Sequence, residues 1–324
     1  MPNVSDGSDV AGNQLVEPQT SEQAVSREMP SPVETPAIEI HEERLPQDTG
    51  ADVSGTSPSH VYRHAVMVRL AHWLNALCIP ILIMSGFQIF NAHQALYWGE
   101  RSDRDRPLFS IQAVRKENGD VKGVTTILGH AFDTTGVLGV SDGSVRGFPS
   151  WATIPSGKWL AMGRQWHLFF AWVFVLNGLL FGFYAVAGRH FWRNLFPKWK
   201  DLRGIGRDLV NHLRFRHPTG DEARHYNVMQ KLAYTGVMFG LGPLIVLTGL
   251  TMSPAIDAAF PWLTNLFGGR QSARTIHFVV CFAFIGFVVV HLLMVATTGL
   301  YNNIRSMITG WFRIRPAHEV QNER

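Results

Sequence analysis

Four histidines lie in long uncharged stretches of the chain: His72, His167, His277 and His291. A neutral imidazole is a good ligand for iron, and an ionisable side chain inside an apolar segment usually has a function. His277 and His291 are 14 residues apart. On one helix they would therefore project from nearly the same face, at levels separated by roughly 21 Å. This spacing predicts metal-binding histidines at two depths of a single helix.

The elements that carry these histidines are four apolar segments. Each is an interval of 24 to 30 residues without Asp, Glu, Lys or Arg, which exceeds the ~20 residues that a helix needs to cross a bilayer. We therefore predict an all-α membrane protein with four transmembrane helices. The predicted spans are about 70–92, 165–188, 232–253 and 275–300.

The charged residues are distributed unevenly. Residues 1–58 contain eleven acidic residues and two arginines, a composition that predicts a disordered tail. The basic residues elsewhere flank the apolar segments, which indicates membrane topology and not nucleic-acid binding. We assign 1–58 as an acidic cytoplasmic tail, 59–315 as the membrane domain and 316–324 as a short second tail.

The two cysteines, Cys78 and Cys281, fall in apolar segments and form neither a CxxC nor a CxxCH pattern. The signals of an iron–sulfur site and of covalently attached haem are therefore missing from the sequence. We expect both thiols to be packing groups.

Orientation follows from the basic residues. The connection 189–231 carries ten Lys or Arg and four Asp or Glu, so by the positive-inside rule it faces the cytoplasm. Four spans then place both termini in the cytoplasm, with the protein in a bacterial inner membrane. The connection 101–158 is expected on the outer face, with short β-like runs such as VKGVTTIL. Segments 149–160 and 255–267 are expected to lie at the outer membrane surface.

This topology predicts which histidines share a depth. The first span runs outward, so His72 lies near the inner face, whereas the second returns and places His167 near the outer face. On the fourth span His277 is outer and His291 is inner. Each pair, His167 with His277 and His72 with His291, offers two imidazoles from different helices, as six-coordinate haem iron requires. We therefore predict a four-helix bundle with two haems.

These histidines have two alternative roles to haem ligation. A single histidine in a span is more often a hydrogen-bonded helix contact, but four that match in depth by pairs favour ligands. A histidine-lined metal permease would need carboxylates among ligands clustered at one depth, and no predicted span contains an acidic residue.

The sequence allows more than one role for other polar residues near the span ends. His93 and His190 are expected to have interfacial roles, and His64 is expected to contact either the inner haem's propionates or solvent. Arginines within about one helical turn of a predicted ligand are either propionate partners or ordinary interface anchors. These arginines are Arg69, Arg164 and Arg274.

Three stretches resemble the bacterial cytochrome b561 and nickel-hydrogenase b-type cytochrome family, in particular its thiosulfate-reductase-type cytochrome b subunits. They are HAVMVRLAHWLNALCIPILIMSG from His64, GRQWHLFFAW from Gly163 and GGRQSARTIHF from Gly268. The resemblance covers roughly residues 60–312. It implies two b-type haems, with ligands on the first, second and fourth helices. The matching positions are His72, His167, His277 and His291.

The segment YNVMQK (226–231) resembles the motif before the third helix of formate dehydrogenase gamma subunits, where an asparagine lies beside quinone. The resemblance implies a quinone site at Asn227, with Gln230 and Lys231 following. A quinone carbonyl needs a donor near the haem edge and a proton path to water. Helix capping by Asn227 is the alternative, and the two roles are compatible.

We therefore predict a dihaem electron-transfer subunit rather than an enzyme in its own right. It would carry electrons between quinone at the inner face and a periplasmic redox protein on the outer connection. The resemblance implies a molybdopterin oxidoreductase as that partner. The alternative is a stand-alone superoxide:quinone oxidoreductase, as some cytochrome b561 relatives are. That activity needs an exposed outer haem edge, whereas the long outer connection favours docking.

Overall fold

The computed structural model describes residues 59–117, 119–187 and 228–314. Four of its helices are long and apolar enough to cross a membrane. They are Val66–Phe90 (first span), Leu160–Ala187 (second span), Leu232–Thr251 (third span) and Arg270–Thr297 (fourth span). Large apolar side chains such as Phe183 and Leu292 are exposed on them, as expected where lipid is the solvent.

All four helices begin before the predicted span bounds. They start at Val66, Leu160, Val228 and Arg270, four or five residues before residues 70, 165, 232 and 275. The uncharged interval marks only the hydrocarbon crossing, whereas the helix continues into the polar headgroup layer, where arginine side chains are tolerated.

The third span is not a regular α-helix. A π-helical turn, Gly236–Leu241, separates the helix Val228–Thr235 from the helix Gly242–Thr251. Pro243 lies at the start of the last helix, where it has no N–H to donate and its ring crowds the preceding turn. The wider π turn accommodates that crowding.

The long connection between the first and second spans is largely β structure. The strands Ala95–Leu96, Phe109–Arg115, Val121–Ile127 and His130–Asp133 form an antiparallel sheet in that order. A separate hairpin pairs Gly139–Ser141 with Ser144–Arg146. An apolar cluster centred on buried Phe90, Leu96, Ile111 and Phe148 joins this β structure to the first span and to Phe278. We call this end of the bundle the sheet end.

The opposite end, called the terminal end, carries a second small pairing. Strand Ser59–Tyr62, before the first span, pairs antiparallel with strand Trp311–Ile314, after the fourth. Helix Leu300–Thr309 lies between the fourth span and that strand, and Gly299 turns the chain with a φ of 107°. At the sheet end, helices Pro254–Ala259 and Pro261–Leu266 connect the third and fourth spans.

Candidate functional site

The four histidines meet as two pairs at two levels of the bundle. The ring centroids of His167 and His277 are 6.3 Å apart near the sheet end, with the planes at 64°. Those of His72 and His291 are 6.1 Å apart near the terminal end, with the planes at 55°. The first span packs on the second and the third on the fourth, so each histidine pair joins the two helix pairs.

These separations suit one metal ion held between two imidazoles. Two metal–nitrogen bonds of about 2.0 Å, plus the distance from each nitrogen to its ring centre, give roughly 6 Å between centroids. Within the described residues, no group of three or more His, Cys, Asp or Glu is placed to hold a metal ion. A metal at either pair would therefore need its remaining ligands from elsewhere. An iron porphyrin brings four nitrogens of its own and leaves two axial positions for imidazoles, so the residues fit haem.

At the sheet end, the surroundings of His167 fix its tautomer. Its Nδ1 lies 3.1 Å from the carbonyl oxygen of Leu82 and 3.0 Å from Oγ of Ser85. A carbonyl oxygen can only accept, so Nδ1 carries the proton and donates it. The lone pair on Nε2 is then free to bind a metal.

His277 is held in the same way by the third span. Its Nδ1 lies 3.0 Å from the carbonyl oxygen of Ile245 and 3.2 Å from Oγ1 of Thr248. The same reasoning places the proton on Nδ1 and the free lone pair on Nε2.

A glycine lies against each of these two rings. A Cβ added to Gly86 would lie 3.4 Å from Cε1 of His167, and one added to Gly249 would lie 3.3 Å from Cε1 of His277. Because glycine has no side chain, helix and imidazole approach closely. Sequence reasoning missed these positions, although a signal exists: LIMSG (82–86) and IVLTG (245–249) share a hydroxyl residue followed by glycine.

The pair at the terminal end lacks such contacts. Nδ1 of His72 is buried, and no described residue hydrogen-bonds to it. The ring of His291 stacks on Phe287 at 5.8 Å, and no hydrogen bond links it to the described part of the chain. The two histidine pairs therefore differ in what surrounds their ring nitrogens.

The terminal end is rich in cations. Burial, with the nearby charges of Arg63, His72 and Arg69, lowers the pKa of His64 to about 4. Arg69 donates from one terminal nitrogen to the carbonyl of Ile308, and its buried Nε has no partner among the described residues. Residues 59–99 and 258–314 contain no Asp or Glu. A bound group with carboxylates, such as a haem propionate, would complement this charge.

At the sheet end, the two arginines predicted as possible propionate partners differ in their surroundings. Arg274 donates to the carbonyls of His93 and Ala95 and thereby braces the chain after the first span. Arg164 is exposed. Partial burial, Arg274 and Arg104 lower the pKa of His93. A propionate role for these arginines stays a prediction.

Arg146 is a buried cation that sequence reasoning missed. Its guanidinium donates to the carbonyls of Phe148 at 2.7 Å and Ser156 at 2.8 Å. It also donates to Oγ1 of Thr153 at 2.8 Å and to Oε1 of Gln88 on the first span at 3.4 Å. Burial lowers the pKa of Arg146. These bonds fasten the segment after the β hairpin onto the first span.

Only part of the predicted quinone site lies within the described residues. Asn227 lies outside the described residues, as does His190. Gln230 and Lys231 fall in the helix Val228–Thr235, with side chains that the structure does not describe. The quinone site therefore stays a prediction.

Comparison with known proteins places the chain among membrane cytochromes. The family model described as prokaryotic cytochrome b561 matches residues 63–310. A relative from Azospira oryzae, named as a protein-methionine-sulfoxide reductase subunit, YedZ1, is 29% identical over 72% of this chain and 89% of its own length. A relative from Cupriavidus necator, named as a Ni/Fe-hydrogenase B-type cytochrome subunit, is 23% identical over 75% and 82%. No solved structure matches the chain significantly.

Proposed function

Because the chain belongs to the prokaryotic cytochrome b561 family, we propose that it is a dihaem electron-transfer subunit of a membrane oxidoreductase complex. The observation that carries the proposal is the meeting of four histidines as two pairs spaced for one metal each. When bound, the two b-type haems supply one-electron redox chemistry. The chain's own residues hold them at two depths, separated by roughly 21 Å along the fourth span.

In this proposal each histidine pair binds one haem. His167 and His277 present their Nε2 lone pairs at the sheet end, because Nδ1 of each ring donates to the neighbouring helix. His72 and His291 hold the second haem at the terminal end. Arg69 lies there with its buried Nε unpaired among the described residues, and residues 59–99 and 258–314 contain no Asp or Glu, which supports propionate binding at that end.

We further propose which redox partners meet each end. The terminal end faces the cytoplasm and exchanges electrons with quinone, near Asn227, Gln230 and Lys231. The sheet end faces the periplasm and receives a partner protein, of the molybdopterin oxidoreductase class. The relatives named as reductase and hydrogenase subunits support a protein partner.

A redox titration of the purified full chain, produced with ample haem supply, tests the proposal. Two b-type components are expected. His291→Ala should remove the terminal-end component and His277→Ala the sheet-end component. His130→Ala, which alters an exposed ring in the sheet, should leave both. A wild-type protein that is colourless or has a single component would overturn the proposal.

Site-specific photo-crosslinking in membranes of the native host tests the partner. A crosslinker at Val137, 59% exposed at the sheet end, should capture a molybdopterin oxidoreductase, whereas one at Tyr301, 82% exposed at the terminal end, should not. Capture of that partner only from Tyr301 would reverse the assigned orientation.

A further inference from the structure

The first and third spans each present the same three groups, a carbonyl, a hydroxyl and a glycine, to the histidine of the span packed against them. In the first span Leu82 supplies a carbonyl, Ser85 a hydroxyl and Gly86 a bare surface to His167. In the third span Ile245, Thr248 and Gly249 do the same for His277. The spacing i, i+3, i+4 places all three groups on one helix face.

The direction of each hydroxyl follows from its other contact. Ser85 Oγ lies 2.6 Å from the carbonyl oxygen of Ile81, and Thr248 Oγ1 lies 2.7 Å from that of Leu244. A hydroxyl has one hydrogen, and each donates it to its own helix. The hydroxyl oxygen therefore accepts from the imidazole, so each Nδ1–H faces two acceptors.

Within the described residues, the terminal-end histidines have no such set of carbonyl, hydroxyl and glycine against them. Nδ1 of His72 has no hydrogen-bond partner there, and the described contact of the His291 ring is with aromatic side chains. On the first span His72 stands fourteen residues before Gly86, whereas on the third span the residue fourteen before Gly249 is Thr235 and not a histidine. The two halves of the bundle are thus alike at the sheet end and unlike at the terminal end.

Acceptors on Nδ1–H raise the basicity of a metal-bound imidazole. A more basic axial ligand stabilises ferric over ferrous iron, so it lowers the midpoint potential. We propose that Ser85 and Thr248 are positioning residues that lower the potential of the sheet-end haem below that of the terminal-end haem. This rests on the proposed function and adds a direction to it. Electron transfer from the sheet end to the terminal end is then downhill, toward quinone.

The test is a spectroelectrochemical titration of the full chain with its haems, comparing wild type with Ser85→Ala, Thr248→Val and the double variant. The lower-potential component should shift upward, by about tenfold in its reduction equilibrium or ~59 mV for a one-electron couple. The other component should stay in place. Thr248→Ser keeps the hydroxyl and should restore the wild-type value.

Thr251→Val is the matched control. Thr251 is also buried on the third span, but its hydroxyl donates to the carbonyl of Thr248 at 2.7 Å and makes no hydrogen bond to a described histidine. It should not shift either component. Repeating Ser85→Ala in a His291→Ala background assigns the shifted component to the sheet end, because that protein retains only His167 and His277 as a pair.

The electron paramagnetic resonance signal of the oxidised sheet-end haem provides a second readout on the single variants. It should change with Ser85→Ala or Thr248→Val and not with Thr251→Val. If two haem components are present but the hydroxyl variants change neither their potentials nor their signals, this inference is overturned and the proposed function stands. A wild-type protein without two haem components would instead overturn the proposed function.

Discussion

Gly249 and His277 face each other so closely that a Cβ on the glycine would lie 3.3 Å from Cε1 of the imidazole. On the other side of the bundle Gly86 and His167 repeat the relationship at 3.4 Å. Both rings are also fixed through Nδ1. Neither ring can therefore move without losing a hydrogen bond or meeting the neighbouring helix.

Gly249→Ala should displace His277, and Gly86→Ala should displace His167 less, because its added Cβ would lie at 3.4 Å, where ordinary van der Waals contact begins. The added methyl group overpacks the contact, at a cost of about 1–3 kcal/mol, although alanine favours the helix over glycine. We expect reduced sheet-end haem, measured by redox titration, with the terminal-end component retained. Gly178→Ala and Gly182→Ala are controls, because a Cβ at those positions of the second span meets nothing within 4 Å. Equal haem loss from all four variants would contradict this account.

Arg146→Lys should weaken the attachment of the outer β structure to the first span. A lysine cannot reproduce the fork of bonds to Phe148, Ser156, Thr153 and Gln88. Leaving buried acceptors unpaired costs about 1–3 kcal/mol. We expect a lower unfolding temperature by tryptophan fluorescence and faster proteolysis after the β hairpin. Arg115→Lys alters an exposed arginine and should have neither effect.

Asp133 makes the stability of the sheet depend on pH in the acid range. The hydroxyl and backbone N–H of Thr135 donate to its carboxylate, and Nζ of Lys122 lies 3.1 Å away. These contacts lower its pKa from 3.8 to about 2. The stabilisation is therefore full above the ordinary pKa and is lost as pH falls through the folded value. The difference in unfolding temperature between wild type and Asp133→Asn should shrink from pH 5 toward pH 2.

The control for that titration is Asp105→Asn, since the carboxylate of Asp105 makes no hydrogen bond or ion pair with a described residue. It should leave the acid dependence of unfolding unchanged. A pH-independent difference between wild type and Asp133→Asn would show that Asp133 acts by shape and not by charge.

Leu128→Asn should stabilise the turn between the last two strands of the sheet. Leu128 has a φ of 49° and is 71% exposed. The left-handed region costs most side chains about 1–2 kcal/mol, whereas asparagine adopts it readily. We expect a higher unfolding temperature in detergent. Asp142→Asn, in the other two-residue turn with a φ of 51°, exchanges two suited residues and should change little. A lower temperature for Leu128→Asn would mean that the leucine side chain contributes more than its backbone costs.

The spans are predictable because a missing charge over 24 residues is a strong and local signal. Depth along each span also predicts which imidazoles share a level, and the structure brings those rings together. Their role as haem ligands stays a prediction. The helix ends are less predictable, since arginines such as Arg69 enter the helix while their charge reaches the surface.

Other features depend on tertiary contacts that cannot be inferred from the residue types alone. The run VKGVTTIL indicates strand Val121–Ile127, but not its partners or register. Arg146 looks like one more surface arginine in the sequence, because two of its four acceptors are backbone carbonyls, which every residue has, and the other two are neutral side chains. Ser85 and Thr248 could be found as a repeat, but their target depends on which helices pack together.

The pairing of Ser59–Tyr62 with Trp311–Ile314 brings the two ends of the membrane domain side by side, with Ser59 opposite Ile314. Directly opposed residues in an antiparallel pair lie about 5 Å apart. A linker of a few residues would therefore close the domain into a ring. The chain should then tolerate being opened in an exposed turn at the far end, such as the one at Leu128 and Gly129, with its order of segments rotated and its histidines in place.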